Sequence, residues 1–246
     1  MDSRVTTGID DLDRMLNGGI PEGNQVVVAG GPGAGKTLTS FEFCYKNAKA
    51  GIPSLFFALE ESTSNIIKNA KKAFPDWTDI QELIDKRMLL IDKREIISAG
   101  MGDQLANPKE SFKLAVAQIA ANIKMYHIGR VVIDSVSTIK LLVGDPLAYR
   151  MFTLNMVEVL RIAGVTSLLT LEVENTQRDN MQFLPEFFMY DGIIFMYSTA
   201  SEAERTPSIE VIKMRGSKHS FKTIPYEITS NGVKLLTIEG QDLEEI

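Results

Sequence analysis

Residues 30–37 carry the pattern in this chain that is most specific for chemistry. They read Gly-Gly-Pro-Gly-Ala-Gly-Lys-Thr and match the phosphate-binding pattern G-x-x-x-x-G-K-[ST]. Glycines let backbone N–H groups converge on an anion at a helix N-terminus, Lys36 reaches the β- and γ-phosphates, and the Thr37 hydroxyl coordinates Mg²⁺. The residues predicted to contact the nucleotide here are Gly31, Pro32, Gly33, Ala34, Gly35, Lys36, Thr37 and Leu38.

A second metal ligand is predicted about 100 residues further along the chain. Residues 130–135, Arg-Val-Val-Ile-Asp-Ser, form an apolar run that ends in a carboxylate. This is the form of a Walker B strand, in which Asp134 holds Mg²⁺ through water or another indirect contact. Apolar strands ending in aspartate are common, but the spacing from the P-loop favours the metal role.

Glu60 and Glu61 follow an apolar run at residues 54–59. Ligands of open α/β sheets bind at the carboxyl ends of strands, so one of these carboxylates is predicted to activate the water that attacks the γ-phosphate. The alternative is that the pair places negative charge at the start of the next helix, where the helix dipole favours anions. The sequence does not decide which glutamate is the base.

Lys213 and Arg215 flank Met214 in a predicted strand. Residues two apart point to the same face of a strand, so both cations are expected to meet one partner. The alternative is an edge strand exposed to solvent, on which the charged side chains prevent pairing with another chain. The spacing alone leaves both interpretations open.

The elements that must position these residues alternate between strand and helix. Apolar runs predict strands at 25–29, 54–59, 88–92, 130–134 and 166–171, and helical patterns lie at 10–16, 37–50, 62–73, 108–125 and 147–163. This order predicts an α/β fold with a mostly parallel central sheet, right-handed crossovers and helices on both sides. From Gly192 onward, short runs at 193–197, 208–214, 226–229 and 233–237 predict an antiparallel extension of the same sheet.

Composition narrows the classes of function. The 246 residues are 44% hydrophobic and 24% charged, with a net charge of −6, which predicts one globular domain over 1–246 and disfavours binding driven by nucleic-acid phosphates. One cysteine and two histidines exclude an intrachain disulfide and a Cys/His zinc cluster, and favour a reducing compartment. No signal peptide and no run of 18 apolar residues is found, so a cytoplasmic protein without membrane insertion is expected.

The chain resembles a single KaiC-type domain of the RecA/DnaB-like P-loop ATPases almost from end to end. Besides the P-loop, the matching segments are 7–10 (Thr-Gly-Ile-Asp), 18–23 (Gly-Gly-Ile-Pro-Glu-Gly), 60–62 with 66–70, 134–136, 170–172, 213–220 (Lys-Met-Arg-Gly-Ser-Lys-His-Ser), 224–229 and 231–232. The segment 213–220 is the most diagnostic of these.

The resemblance implies a RecA-type three-layer sandwich and a homo-oligomeric ring, commonly a hexamer, with ATP and Mg²⁺ bound between neighbouring subunits. Lys213 and Arg215 would then reach the γ-phosphate on the adjacent subunit, and Ser217 and His219 would contact the ribose or base side. Met214 lies within this nucleotide-binding element. The implied activity is ATP hydrolysis, which we expect to be slow, in a regulatory or motor-like role.

The chain departs from its relatives at several positions. Clock-type KaiC proteins carry two such domains, and their adjacent phosphorylatable Ser and Thr are replaced here by Phe187 and Phe188 ahead of Asp191, so self-phosphorylation there is not expected. Recombinase relatives carry a DNA-binding domain or zinc finger and an aromatic-x-x-Ala polymerisation segment before the core. Because Thr7 is only about 23 residues from Gly30, we expect neither segment here.

Two other functions stay open from the sequence. One is an ATP-gated scaffold that binds but does not hydrolyse ATP. The other is a single-stranded DNA binder that uses Arg178 or Lys218, with aromatic residues of segment 175–190 stacking on bases. For the aromatic residues of that segment, Phe183, Phe187 and Phe188, packing in the core or a subunit interface is the preferred interpretation. Nucleic acid is therefore not the favoured partner.

Overall fold

Eleven strands and seven α-helices make up the part of the chain that the computed structural model describes, residues 3–93, 108–174, 184–200 and 205–237. The strands are β1 (Arg4–Val5), β2 (Ile20–Pro21), β3 (Gln25–Gly30), β4 (Ser54–Ala58), β5 (Leu89–Lys93), β6 (Arg130–Asp134), β7 (Thr166–Glu172), β8 (Gly192–Ala200), β9 (Arg205–Met214), β10 (Ile224–Thr229) and β11 (Gly232–Leu235). The helices are α1 (Asp10–Met15), α2 (Lys36–Lys49), α3 (Thr63–Ala73), α4 (Ile80–Asp85), α5 (Pro108–Tyr126), α6 (Ser137–Val143) and α7 (Pro146–Ile162), with a 3₁₀ helix at Pro185–Met189.

Nine of these strands form one sheet in the order β11-β10-β9-β8-β3-β7-β6-β4-β5. The six strands from β8 to β5 are parallel, and β9, β10 and β11 extend the sheet in antiparallel pairing. Helices cover both faces, since α5, α6 and α7 pack with one apolar cluster and α1 to α4 with the other. This arrangement confirms the predicted RecA-type α/β architecture.

The prediction that the antiparallel extension begins after Gly192 was wrong by one strand. β8 pairs in parallel with β3, with Gly192 opposite Val26, and the antiparallel pairing starts at β9. The chain therefore crosses over between β7 and β8. The part of that crossover that the structure describes contains only a 3₁₀ helix of five residues, which has no helical periodicity to read from sequence.

The central strand β3 shows why the sheet is buried on both sides. Its alternate residues Val26 and Val28 belong to one apolar cluster, and Val27 and Ala29 belong to the other. All six residues of the strand are buried. A strand covered on both faces reads as a continuous apolar run, which is the pattern found in the sequence.

Helix boundaries follow local signals. The Ser62 hydroxyl accepts a hydrogen bond from the Asn65 N–H at 3.2 Å and so caps α3, as the sequence predicts. The short helices α4 and α6 were not predicted, because six or seven residues span too few turns for a periodic pattern. Among the helices that the structure describes, none has both the length and the apolar character needed to cross a membrane.

The hairpin of β10 and β11 packs on α2 through a buried carboxyl group. Glu42 Oε2 accepts a hydrogen bond from the Val233 N–H at 2.7 Å, and the Glu42 residue is only 2% exposed. Burial raises the pKa of Glu42 to about 8, against the lowering effects of the Val233 N–H and of Lys46. Burial therefore favours the protonated carboxyl group in the folded chain at neutral pH.

Replacing Glu42 by Gln should stabilise the protein increasingly as pH rises. The unfolded carboxyl titrates near 4.5 and the folded one near 8, so the wild type loses stability between these values, while Gln still accepts the Val233 N–H. We expect the advantage of Glu42→Gln in unfolding free energy to be larger at pH 9 than at pH 5.5, by on the order of a few kcal/mol. Urea denaturation of both proteins at both pH values measures it, and an advantage independent of pH would contradict the assignment.

Candidate functional site

The glycine-rich loop connects the end of β3 to the start of α2. Gly33 and Gly35 have φ values of 76° and 83°, which are strained for residues with a side chain. A Cβ atom on Gly33 would meet no atom of the described structure within 4 Å, so this side of the loop faces open space. Lys36 closes over the loop, since its Nζ donates to the carbonyl oxygens of Gly30 at 2.9 Å and Gly31 at 2.8 Å.

This loop fits a bound phosphate. Gly35 is the N-cap of the 14-residue helix α2 and has no side chain to accept from the first N–H groups of the helix. Such groups favour an anion together with the positive end of the helix dipole. Burial lowers the pKa of Lys36, although Glu172, Asp134 and Glu60 act in the opposite direction. Removing the lysine from water strengthens its attraction for a phosphate.

Two hydroxyl groups hold the carboxylate of Asp134 beside the loop. Thr37 Oγ1 donates to Asp134 Oδ2 at 3.0 Å, and Thr170 Oγ1 donates to Oδ1. Burial raises the pKa of Asp134, with smaller contributions from the charges of Glu60 and Glu61, and the two hydroxyl bonds oppose this shift. Thr170 was not predicted as a site residue, although it lies near the C-terminal end of β7, between the strands that carry the P-loop and Asp134.

Thr37 and Asp134 have the donor types that Mg²⁺ prefers. Magnesium usually binds one or two protein oxygens and completes its shell with substrate phosphates and water. The described residues contain no group of three His, Cys, Asp or Glu side chains that would hold a metal by themselves. The pair therefore fits a metal that arrives with a nucleotide.

Glu60 and Glu61 lie beyond the end of β4 but turn to different partners. Glu60 Oε1 accepts from Ser135 Oγ at 2.7 Å and from the Thr138 hydroxyl, both of which follow Asp134 in sequence. Glu61 Oε2 accepts from Asn69 Nδ2 on α3 at 3.4 Å. The structure thus places Glu60 in the cluster with Asp134, and Glu61 near the helix that follows.

Lys213 and Arg215 lie at the edge of the sheet where the parallel strands begin, whereas the P-loop lies at the edge where they end. β9 runs antiparallel to β8, so Met214 pairs with Gly192, which in turn pairs with Val26 at the start of β3. The P-loop follows the other end of β3, about 17 Å away along a six-residue strand. Within one chain, the structure does not bring these two cations to Lys36.

Both cations are held by the segment that precedes β8. Lys213 Nζ donates to the Tyr190 carbonyl oxygen at 2.7 Å, and Arg215 Nη2 donates to the Phe188 carbonyl oxygen at 3.0 Å. Burial lowers the pKa of Lys213, and the nearby charge of Arg215 adds to this effect. The Arg215 side chain is 51% exposed, so its guanidinium group lies at the surface where a partner can meet it.

The other predicted nucleotide contacts of this region are less accessible. The Met214 side chain is buried over Gly192, on the face of β9 opposite to Lys213 and Arg215. Only the backbone of Met214 is therefore left for contact with a ligand. Ser217 Oγ accepts from Arg4 Nη1 at 2.7 Å. His219 is 9% exposed, and its Nδ1 lies 3.1 Å from the carbonyl oxygen of the next residue.

β10 supports the P-loop from the side. The Tyr226 hydroxyl donates to the Ala34 carbonyl oxygen, and the Ile228 Cδ1 atom would lie 3.1 Å from a Cβ atom on Gly35. Leu38, which was predicted to contact the nucleotide, is partly buried against the core on the α2 side. Tyr226 was not predicted as a site residue, because only the folded chain shows that β10 returns to the P-loop.

The segment considered for nucleic-acid contact is only partly described. Phe187 is fully buried and packs in the core, as preferred from the sequence, whereas Phe188 is 62% exposed. Arg178 and Phe183 lie outside the described residues.

Comparisons with known proteins show the family of the chain. A family model described as the KaiC ATPase matches residues 5–240. A "UPF0273 protein" of Thermotoga maritima is 32% identical over 98% of both chains, and one of Pyrococcus horikoshii is 32% identical over 95% of this chain and 94% of its own. The circadian clock oscillator protein KaiC of a Picosynechococcus species is 28% identical over 98% of this chain but only 46% of its own length. The chain is a P-loop ATPase domain that belongs to the KaiC family.

Proposed function

We propose that this chain is a Mg²⁺-dependent ATPase that hydrolyses ATP between neighbouring subunits of a ring, in a regulatory or motor-like role. The observation that carries the proposal is the placement of two incomplete sets of groups at opposite edges of one sheet. The P-loop, Asp134 and Glu60 lie where the parallel strands end, which we call the phosphate edge. Lys213 and Arg215 lie where those strands begin, which we call the cationic edge. One chain cannot unite the two sets, whereas two copies in contact can.

The phosphate edge would bind and orient the substrate. The backbone N–H groups of the loop and Lys36 hold the β- and γ-phosphates, and Thr37 with Asp134 would hold Mg²⁺. The metal would neutralise charge on the phosphate oxygens. Thr170 fixes the Asp134 carboxylate by its hydroxyl bond, so this ligand is already oriented before the nucleotide arrives.

We assign Glu60 as the general base. Its carboxylate is held by Ser135 and Thr138 beside Asp134, close to where a γ-phosphate would lie. It accepts a proton from water as the water oxygen bonds to the γ-phosphorus, and the bond from that phosphorus to the β–γ bridging oxygen breaks to release ADP and phosphate. Glu61, paired with Asn69 on α3, is assigned an electrostatic or structural part.

The cationic edge would complete the site of the adjacent subunit. A contact that joins one edge of a chain to the opposite edge of its neighbour is heterologous, and such contacts close into rings when the rotation permits. Glu60, Glu61 and Glu172 are exposed at or just beyond the C-terminal ends of β4 and β7, at the phosphate edge, and Lys213 and Arg215 lie at the other edge, so a contact between the two edges would bring these carboxylates and cations together. The family resemblance predicts six subunits.

The test is the dependence of ATP hydrolysis on protein concentration. A site shared between subunits has little activity in the monomer, so phosphate release per chain should rise with concentration as the mass from light scattering rises, with MgATP present. Activity per chain that stays constant from monomer to assembly would overturn the shared site. Assembly with phosphate release no faster than in buffer would instead favour the non-hydrolysing scaffold.

A further inference from the structure

The Asp191 carboxylate joins three elements at the cationic edge. Its Oδ2 accepts from the Gln25 N–H at the start of β3 at 3.0 Å, and both of its oxygens lie within 3.3 Å of Arg161 Nη2 on α7. Its Oδ1 also accepts from Arg215 Nη1 at 3.4 Å. The backbone of Asp191 adds two bonds, one to the Gln25 carbonyl oxygen and one from the Arg215 N–H, each 2.8 Å long.

We propose that Asp191 is the positioning residue of the Arg215 finger, an inference that rests on the proposed function. The Asp191 side chain is 13% exposed and the Arg215 side chain is 51% exposed, so a nearly buried carboxylate anchors an accessible guanidinium group. Carboxylate–guanidinium bonds are charge-assisted and directional. They reduce the conformational freedom that a long arginine side chain would otherwise lose on meeting a phosphate.

Arg161 makes this anchor rigid. It bonds to Asp191 with Nη2 and to Glu158, one turn earlier on α7, with Nη1 at 3.0 Å. The carboxylate is thus fixed from the helix side and from the sheet side at the same time. Supporting residues of this kind hold functional side chains within the small tolerance that catalysis requires.

The hydrogen bond between Asp191 and the Gln25 N–H suggests an alternative role, in which Asp191 acts through β3 on the P-loop of its own chain. The P-loop begins at the other end of β3. That route is weaker, because β3 is paired along its length with β7 on one side and β8 on the other. A small change at Gln25 is absorbed by these two ladders over about 17 Å before it reaches the loop. Arg215, in contrast, contacts the carboxylate directly.

The test is hydrolysis by Asp191→Asn alone and in mixed rings with Glu60→Gln. Asp191→Asn alone should lower kcat by about tenfold to a hundredfold, since misplacement of a catalytic group by about 1 Å has effects of this size. MgATP affinity should stay within about twofold, because the altered residue is remote from the P-loop of its own chain. A purely structural defect would lower affinity and kcat together.

Mixed rings distinguish an Asp191 that acts across the interface from an Asp191 that acts on the P-loop of its own chain. Glu60→Gln chains supply an intact Asp191 and Arg215 but no base, so an Asp191→Asn chain beside one has a complete site if Asp191 acts across the interface. In a one-to-one mixture about a quarter of the interfaces have this arrangement, and activity per chain should recover to about a quarter of wild type. No recovery would show that Asp191 acts on its own P-loop and would overturn the inference.

A parallel mixture of Arg215→Ala with Glu60→Gln tests the proposed function separately. Recovery in this mixture but not with Asp191→Asn refutes only the role of Asp191, whereas no recovery in either refutes the shared site itself. Asp79→Asn is the matched control, because this carboxylate also pairs with a cation, Lys49 at 2.9 Å, but lies by α4. It should retain wild-type activity.

A second variant covers the case in which Asp191→Asn does not fold. Arg161→Gln leaves Asp191 in place and frees the carboxylate on the helix side. We expect about a threefold to tenfold loss in kcat for this variant alone. Its one-to-one mixture with Glu60→Gln should reach about a quarter to a third of wild-type activity per chain, rather than the roughly half of the variant's own activity expected if Arg161 acted only on its own chain. Activity equal to wild type in Arg161→Gln would contradict the rigid anchor.

Discussion

Glu60→Gln should lower kcat for ATP hydrolysis by about a hundredfold to ten-thousandfold, the usual contribution of a positioned general base. Gln keeps the shape and the oxygen that accepts from Ser135 and Thr138 but cannot take a proton from water. MgATP affinity should change by no more than about threefold, because Lys36, Thr37 and Asp134 are untouched. Steady-state phosphate release together with calorimetric titration of MgATP measures both quantities.

Glu61→Gln is the matched control for this prediction. The two residues are adjacent, carry the same charge and are both exposed, yet Glu61 bonds to Asn69 on α3 rather than to the Asp134 strand. We expect Glu61→Gln to retain hydrolysis within about threefold of wild type. If Glu61→Gln loses activity and Glu60→Gln does not, the base is Glu61. If neither variant differs from wild type, hydrolysis does not depend on this pair and the scaffold function gains support.

The parts of the site that were predicted from sequence are those encoded in contiguous residues. The P-loop is recognisable because phosphate binding by a loop and a helix N-terminus needs a fixed spacing of glycine, lysine and threonine. Asp134 was predicted for a similar reason, as the last residue of a buried strand. The structure joins these two segments directly through the hydrogen bond between Thr37 and Asp134.

The parts that were not predicted depend on the order of strands in the sheet. The assignment of Glu60 rather than Glu61 rests on Ser135, Thr138 and Asn69, which come from the loop after β6, from α6 and from α3. The separation of Arg215 from the P-loop follows from the antiparallel direction of β9 next to the parallel β8. Local periodicity reports whether a strand exists but not which strand pairs with it, or in which direction.

The inward side chain of Met214 shows a more local limit. The alternation of strand residues already implies that Met214 points away from Lys213 and Arg215. Met214 was included among the nucleotide contacts because the family motif was taken as one continuous segment. The structure separates the block into two outward cations and one core residue that covers Gly192.

Arg215→Ala should lower kcat by about a thousandfold or more, the effect typical of an arginine finger supplied by a neighbouring molecule. Its guanidinium group lies at the edge opposite to the P-loop of its own chain and is half exposed, so its loss should leave nucleotide binding to that chain within about twofold of wild type. Rapid-quench measurement of a single turnover, with MgATP affinity determined in parallel, separates the two effects. Arg14→Ala, which removes an exposed arginine paired with Asp11 on α1, is the control and should behave as wild type.

Arg215→Lys then distinguishes the finger from a general need for positive charge. Lysine carries the same charge as a compact ammonium group and lacks the planar fork that spreads over phosphate oxygens and pairs with a carboxylate. Since Arg215 contacts both Asp191 and the Phe188 carbonyl oxygen, a single ammonium group cannot keep these bonds and reach a neighbour's phosphate together. We expect Arg215→Lys to recover less than about a tenth of wild-type kcat. Full activity in Arg215→Lys would mean that the residue acts only by its charge, and full activity in Arg215→Ala would place it in the internal Asp191 network alone.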